Sequence, residues 1–198
     1  MSTGADAAYH RQVLSPSHSQ PPPEYRIPTT TLTVEIICAD ATRQRGQLFL
    51  APLAAHHAGA ERPEDRLNDD SDFFPFLPED HERSVVVNKH QVIVLSLDLT
   101  QSEQLRKWWG IDAADEQVAV PPAQQRILVE CDGVELEGVL VMDAPQHQRR
   151  TQDMLNRPDR FVCLRDHDHL HLINRRRIVR ASEVPRAESA PGDPSAAD

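Results

Sequence analysis

The side chains with the clearest chemical potential are three histidines at alternate positions, His167, His169 and His171. On an extended strand alternate side chains share one face, so these imidazoles would lie together. Two imidazoles can bind zinc with a third ligand from a neighbouring strand, which makes a metal-binding protein one alternative. However, His167 is predicted to lie in a turn, and the sequence offers no obvious partner ligand. A solvated strand face is therefore the favoured interpretation, and we predict no metal site.

Four arginines form a second cluster at the tip of a predicted hairpin: Arg175, Arg176, Arg177 and Arg180. Guanidinium groups recognise phosphate and carboxylate, so a nucleic-acid-binding protein is another alternative. The net charge of −10 disfavours it, because general binding to a phosphate backbone needs a net basic face. The favoured interpretation is that these arginines pair with acidic residues of the chain itself.

No pattern in the chain points to catalysis. The sequence lacks a nucleophile elbow, a phosphate loop, a dinucleotide fingerprint and a paired-carboxylate motif. Cys163 has no activating base evident in the sequence, and with Cys38 and Cys131 it is interpreted as a buried, reduced thiol. We therefore expect a protein that is not an enzyme and uses no cofactor. Reduced thiols and the lack of an apolar span or signal peptide favour a cytoplasmic protein without membrane contact.

The chain contains two related segments, and the candidate residues above lie in the second. In each segment a Leu-Asn pair precedes a Phe six positions after the Leu, and an Asn followed by a cation comes later. These residues are Leu67, Asn68, Phe73, Asn88 and Lys89 in the first segment and Leu155, Asn156, Phe161, Asn174 and Arg175 in the second. The spacing predicts two modules, residues 31–99 and 126–183. The later Asn of each segment is interpreted as a turn former whose side chain bonds to backbone.

Each module shows about five short strand patterns, so we predict a mainly β protein. A capping box at Thr100–Glu103 predicts a short helix that runs towards Trp109 and packs at the module junction, within a linker of residues 100–125. Residues 1–30 and 184–198 are polar and rich in proline or alanine, and we predict that they are disordered.

The motifs Leu-Asn, Phe-x-x-Leu and Ile/Val-Asn-Lys/Arg resemble those of a bacterial domain family of unknown function, present here as two tandem copies. The strand order and the Asp132-Gly133 turn are similar to those of bacterial Sm-like proteins. This resemblance implies two tandem small SH3-like or Sm-like β-barrels and no activity. It carries over no RNA-contact residue, because the Asp-x-Met-Asn loop is not well matched.

We predict a non-enzymatic interaction or assembly module that acts through protein–protein contacts, either with a partner or with further copies of itself. Small β modules expose strand edges and loops that suit this role. The first module carries 6 basic and 12 acidic residues, whereas the second carries 10 of each. Charge is therefore expected to orient the modules, with Asp69, Asp70 and Asp72 facing the arginines. The candidate interaction residues are Phe73, Phe74, Trp108, Trp109, Arg175, Arg176 and Arg177.

Overall fold

The structure is a computed structural model that describes residues 29–101, 105, 126–141 and 150–185. Residues 1–28 and 186–198 of the predicted disordered ends, most of the predicted linking helix and the pair Trp108 and Trp109 lie outside these ranges. No helix within them has both the length and the apolar character that crossing a membrane requires.

The described residues form ten strands and two short α-helices, with a 3₁₀ turn in each half. The strands are β1 (Thr30–Cys38), β2 (Arg43–Leu50), β3 (Phe73–Pro78), β4 (Val85–Asn88), β5 (Val92–Asp98), β6 (Arg126–Cys131), β7 (Val134–Val141), β8 (Phe161–Arg165), β9 (His169–Asn174) and β10 (Ile178–Glu183). The helices are α1 (Pro63–Asn68) and α2 (Thr151–Leu155), and the 3₁₀ turns are Lys89–Gln91 and Arg175–Arg177.

The ten strands belong to one antiparallel sheet, in the order β10-β6-β7-β8-β9-β5-β1-β2-β3-β4. The prediction of a mainly β protein is confirmed. The sheet is open, with β10 and β4 at its two ends, and its strands do not close into a barrel. The physical reason is that β5 pairs with β9, so that each half uses one edge to bind the other half.

The two halves of the sheet share one strand order, β5-β1-β2-β3-β4 in the first and β10-β6-β7-β8-β9 in the second. Their registers also correspond, because the first and last strands of each half pair through a bulge at the same place. The extra residue of the bulge is Ile93 in β5 and Val179 in β10. Strands β5 and β10 are therefore equivalent, and so are β4 and β9.

The two 3₁₀ turns are fixed by equivalent asparagines, as the sequence predicted. The Oδ1 atom of Asn88 accepts a hydrogen bond from the amide of His90 at 2.9 Å, and that of Asn174 accepts one from the amide of Arg176 at 3.1 Å. Each asparagine thus caps the turn that joins the fourth strand of its half to the fifth.

The core lies on both faces of the central strands. Leu95 of β5 and Leu172 of β9 pack in one apolar cluster with β1, β2 and β3. Their neighbours Val94 and Ile173 pack in a second cluster with β6 and β7. Alternate side chains of a strand point to opposite faces of the sheet. The first half therefore covers one face of the central strands β5 and β9, and the second half covers the other face.

The free cysteines agree with the expectation of buried thiols for two of the three residues. Cys131 and Cys163 are buried, whereas Cys38 is partly exposed. Burial, with a smaller contribution from the charge of Asp132, raises the pKa of Cys131 to about 11. A thiol with so high a pKa stays protonated near neutral pH and is a poor nucleophile.

One glycine in each half allows two neighbouring strands to approach closely. A Cβ at Gly138 would lie 2.6 Å from the carbonyl oxygen of Arg165 in β8, and one at Gly46 would clash with the carbonyl oxygen of Leu77 in β3. Neither obstacle is a side chain that can rotate away. Glycine is therefore required where the second strand of each half crosses the third.

We predict that Gly138→Ala lowers the free energy of unfolding by about 1–3 kcal/mol, because the added methyl forces the strands apart. Urea unfolding measures the loss. The matched control is Glu137→Ala, which removes only an exposed ion pair with Arg126 and should cost about 0–1 kcal/mol. Equal stability of Gly138→Ala and the wild type would show that the backbone shifts freely at this point.

Candidate functional site

The junction between the halves is a strand pair in which backbone hydrogen bonds and apolar side chains act together. Strand β5 runs antiparallel to β9, with Val94 opposite Ile173 and Leu95 opposite Leu172. All four side chains are fully buried. The edge that each half would expose alone is therefore covered by the other half.

Two asparagine side chains extend this pairing beyond the strands. Asn174 donates from Nδ2 to the carbonyl oxygens of Lys89 at 3.2 Å and Val92 at 2.9 Å. Asn68 accepts the amide of Phe161 at 2.7 Å and donates to the carbonyl oxygen of the same residue at 3.1 Å. In each case an amide side chain of one half satisfies backbone groups of the other half.

Two of the four arginines of the hairpin, Arg177 and Arg180, pair with acidic residues, as the favoured interpretation predicted for all four. Arg177 lies 3.2 Å from Asp132, and Arg180 lies 2.8 Å from Glu130. Arg177 also donates to the carbonyl oxygen of His90 at 2.7 Å, which adds a contact between the halves. The guanidinium group of Arg175 donates to the carbonyl oxygens of Leu155, the last residue of α2, and of Arg157, while Arg176 is exposed.

Two of the three acids that were expected to face these arginines have other partners. Asp69 pairs with the buried Lys89 at 2.6 Å. Asp72 pairs with Arg160 of the second half at 2.9 Å. A charge contact between the halves therefore exists, but its cation precedes β8 instead of lying in the hairpin. The predicted pairing of these acids with Arg175, Arg176 and Arg177 is therefore wrong.

The aromatic candidates for interaction divide between surface and core. Phe73 is 52% exposed and available to a partner, whereas Phe74 is fully buried. Phe74 thus belongs to the core and not to a contact surface, since neighbouring side chains of β3 point to opposite faces. Trp108 and Trp109 lie outside the described ranges.

Two strand edges remain without a partner strand in the part of the chain that the structure describes. They are the outer edges of β4 and β10, which are the equivalents of the paired strands β9 and β5. Among the described residues four large apolar side chains are exposed, and three of them lie beside these edges: Phe73, Val86 and Val179. Their equivalents at the junction are Phe161, Leu172 and Ile93, at most 2% exposed.

A separate polar cluster lies beside the junction, where β9 begins. The Oδ1 atom of Asp166 is 3.6 Å from Nδ1 of His169, and its Oδ2 atom is 3.2 Å from Nε2 of His171. The side chain of His167 is 96% exposed, points into solvent and is not part of the cluster. The alternating histidines are thus only partly brought together, and the third member is an aspartate that spacing on a strand does not predict.

The cluster is ordered by a turn and by the neighbouring strand. The carboxylate of Asp166 accepts the amides of Asp168 at 2.9 Å and His169 at 2.6 Å, both through Oδ1. Nδ1 of His171 lies 2.9 Å from the hydroxyl of Ser96, which is its partner in register across β5 and β9. The side chain of His171 is 9% exposed.

Burial and hydrogen bonds shift the pKa values of this pair. Burial lowers the pKa of His171 more than the hydrogen bond to Asp166 raises it, so the neutral imidazole is favoured. Burial alone would raise the pKa of Asp166, but the amide of His169, the side chain of His171 and the amide of Asp168 outweigh it and lower that pKa. The cluster thus combines an ionised carboxylate with a neutral buried imidazole near pH 7.

The cluster opens into a groove of about 500 Å³ that is lined by residues of β1, β2, β5, the β6–β7 hairpin and β9. Asp98 also lines this groove and lies opposite His169 in register, but its oxygens accept hydrogen bonds from Thr100 and Gln101. The described part of the groove contains both acids and arginines, among them Arg43 and Arg45.

Comparisons of the chain with protein-family models, with curated proteins and with solved structures found no match.

We predict that Asn174→Ala lowers the free energy of unfolding by about 3 kcal/mol, because each buried group that loses its partner costs about 1–3 kcal/mol. The side-chain amide of Asn174 donates to the carbonyl oxygens of Lys89 and Val92 and accepts a hydrogen bond from the backbone amide of Arg176. The equivalent change Asn88→Ala, at a free edge, should cost only about 1 kcal/mol. Urea unfolding at low protein concentration compares them, and equal losses would contradict the assigned role of Asn174 at the junction.

We also predict that His171 makes the protein less stable in acid. Its folded pKa lies below the unfolded value of about 6.5, so the unfolded chain binds the proton first as the pH falls. Its contribution is complete above about pH 7 and is lost as the pH drops below about 6.5, at no more than about 1.4 kcal/mol per pH unit.

The measurement is the free energy of unfolding between about pH 5.5 and 7.5, with a chelator present. His171→Gln should flatten this dependence, while the exposed control His167→Gln should leave the wild-type slope in place. If His171→Gln keeps the full slope, other groups cause it.

Proposed function

We propose that this protein is a non-enzymatic assembly module, and that it binds further copies of itself through the outer edges of β4 and β10. The observation that carries the proposal is the correspondence between these edges and the junction within the chain. Phe73, Val86 and Val179 are exposed, while their equivalents at the junction are buried. A second copy that docked as the two halves already do would bury all three.

The junction supplies an expected register for that contact. Val94 lies opposite Ile173 and Leu95 opposite Leu172 within one chain. Transferred to the equivalent strands, this register places Arg180 of one copy opposite Val87 of the next copy. Val86 would then lie opposite Ala181 in the same contact.

Each of the two asparagines that bond across the junction has an equivalent asparagine near an outer edge of the sheet. Asn156 is exposed and is equivalent to Asn68, so it is placed to bind the backbone of Phe73 in the next copy. Asn88 is equivalent to Asn174 and could donate to the turn before β10. Both asparagines would then satisfy backbone groups that a free edge leaves to water.

The composition of β4 supports a partner for this edge. Its sequence is Val-Val-Val-Asn, without a charge or a proline. Natural sheets usually protect an exposed edge with charged residues, proline or a bulge, because an unprotected edge associates with other strands. An apolar edge without these devices favours a binding surface.

The proposed contact is heterologous, because β10 of one copy binds β4 of another. Such contacts produce closed rings when the rotation between copies closes, and open filaments when it does not. We propose in addition that the halves are tandem modules of the SH3-like or Sm-like type, as their motifs imply. With its reduced thiols, the assembly is expected in the cytoplasm.

The nucleic-acid alternative has weaker support. Two of the arginines on which it depends, Arg177 and Arg180, form ion pairs with Asp132 and Glu130, and Arg175 is held by backbone carbonyls. A phosphate would have to displace these partners. The chain also carries a net charge of −10.

We predict that the full chain self-associates and that Val86→Lys or Val179→Lys weakens its association by at least about tenfold, which corresponds to about 1.4 kcal/mol. A lysine at either position would place a charge in an apolar contact between strands. Sedimentation velocity over a range of concentrations measures the association. The matched control is Leu53→Lys. Leu53 is the fourth exposed large apolar residue in the part of the chain that the structure describes, 74% exposed and remote in sequence from both edges.

A mixing experiment tests the head-to-tail arrangement. A Val86→Lys chain keeps a normal β10 edge, and a Val179→Lys chain keeps a normal β4 edge. An equimolar mixture should therefore form heterodimers that grow no further. A wild-type chain that stays monomeric at all concentrations, or dimers of a single variant that match the wild type, would contradict the proposal.

A further inference from the structure

The cluster beside the junction has the ligand types and the spacing of a metal site. The nitrogen of His169, the nitrogen of His171 and an oxygen of Asp166 all lie within 4.8 Å of one another. In a tetrahedral zinc site with bonds of about 2.0–2.1 Å, ligand atoms lie about 3.3–3.4 Å apart. The separation of 3.2 Å between Oδ2 of Asp166 and Nε2 of His171 is close to that value. Nδ1 of His169 lies 3.6 Å from Oδ1, the other oxygen of the same carboxylate.

The surroundings leave the ligand atoms available to a metal while they fix the side chains. The Oδ1 atom of Asp166 accepts two backbone amides, so Oδ2 can face an ion. Ser96 lies at Nδ1 of His171, where its hydroxyl can accept the ring proton and leave the lone pair of Nε2 for the metal. Metal-binding histidines usually have such an outer partner, which sets the tautomer.

The donor set indicates which metal fits. Two imidazole nitrogens and one carboxylate oxygen suit zinc and related transition metals, whereas calcium and magnesium prefer sites made of oxygen alone. Zinc sites with three protein ligands keep a fourth position for water or another ligand. Here that position is available on the side of the groove, because His169 is partly exposed and lines it.

We propose that Asp166, His169 and His171 bind one zinc ion, with a water molecule from the groove as the fourth ligand. This site is independent of the proposed assembly through the edges of the sheet. It lies next to the β5–β9 pair, since Ser96 comes from the first half and the ligands come from the second. A bound zinc ion would therefore fix the orientation of His171, which contacts Ser96 of the first half across the junction.

The test is a titration of the full chain, freed of metal by a chelator, with zinc chloride in a calorimeter. We expect one zinc per chain and a dissociation constant at or below the micromolar range. Cobalt(II) in place of zinc should give the strong visible absorption of a tetrahedral site.

Variants locate the site without disturbing the core. His169→Ala removes a half-exposed ligand. Asp166→Asn keeps an oxygen for the amides of Asp168 and His169 but removes the carboxylate. Each should weaken zinc binding by at least about 100-fold, and Ser96→Ala should weaken it by about 10-fold, as the loss of an outer partner does.

Two control variants identify binding elsewhere in the chain. His167→Ala changes the neighbouring exposed histidine, and His57→Ala changes a histidine that pairs with Asp65. Both should bind zinc as the wild type does. The proposal is overturned if the wild type binds no zinc at micromolar concentration, or if His169→Ala and Asp166→Asn, folded by circular dichroism, bind it with unchanged affinity.

Discussion

The pairing of β5 with β9 is the interaction on which the rest of this structure depends. An edge strand presents a row of unpaired backbone donors and acceptors, and each half of this chain has two such edges. Joining one edge of each half satisfies those groups and buries Val94, Leu95, Leu172 and Ile173 together. The central strands then have apolar clusters on both faces, which is why neither half has a core made only of its own residues.

The same pairing gives equivalent residues different environments. Ile93 and Val179 are the extra residues of equivalent bulges, but one is 2% exposed and the other 74%. Asn174 joins the halves, whereas Asn88 caps only its own turn. A chain of two equivalent halves that uses one copy of an interface internally retains the other copy at the two ends of its sheet, and this geometry underlies the proposed assembly. Heterologous contacts need such a pair of complementary but different surfaces.

The charges follow the junction instead of determining it. Exposed ion pairs contribute about 0–1 kcal/mol each, so the partly exposed pair Arg160–Asp72 can orient the halves but not hold them. The side chains that hold them are apolar or bind backbone. Because such pairs are weak, the charge count of each module could not identify this contact, in which Asp72 pairs with Arg160 and not with the arginines of the hairpin.

The sequence by itself determined the features that depend on neighbours along the chain. Alternation predicted strands, Asn88 and Asn174 predicted turns because their side chains bond to backbone two residues on, and the shared spacing predicted two related halves. Only the tertiary structure decided which edges pair, that the sheet stays open, that Phe74 is buried while Phe73 is exposed, and that Asp166 joins two of the three histidines. Each of these depends on strand register or on a turn that brings distant atoms together. Local propensity leaves register undetermined, because backbone hydrogen bonds are alike at every position and only packing between distant side chains selects one.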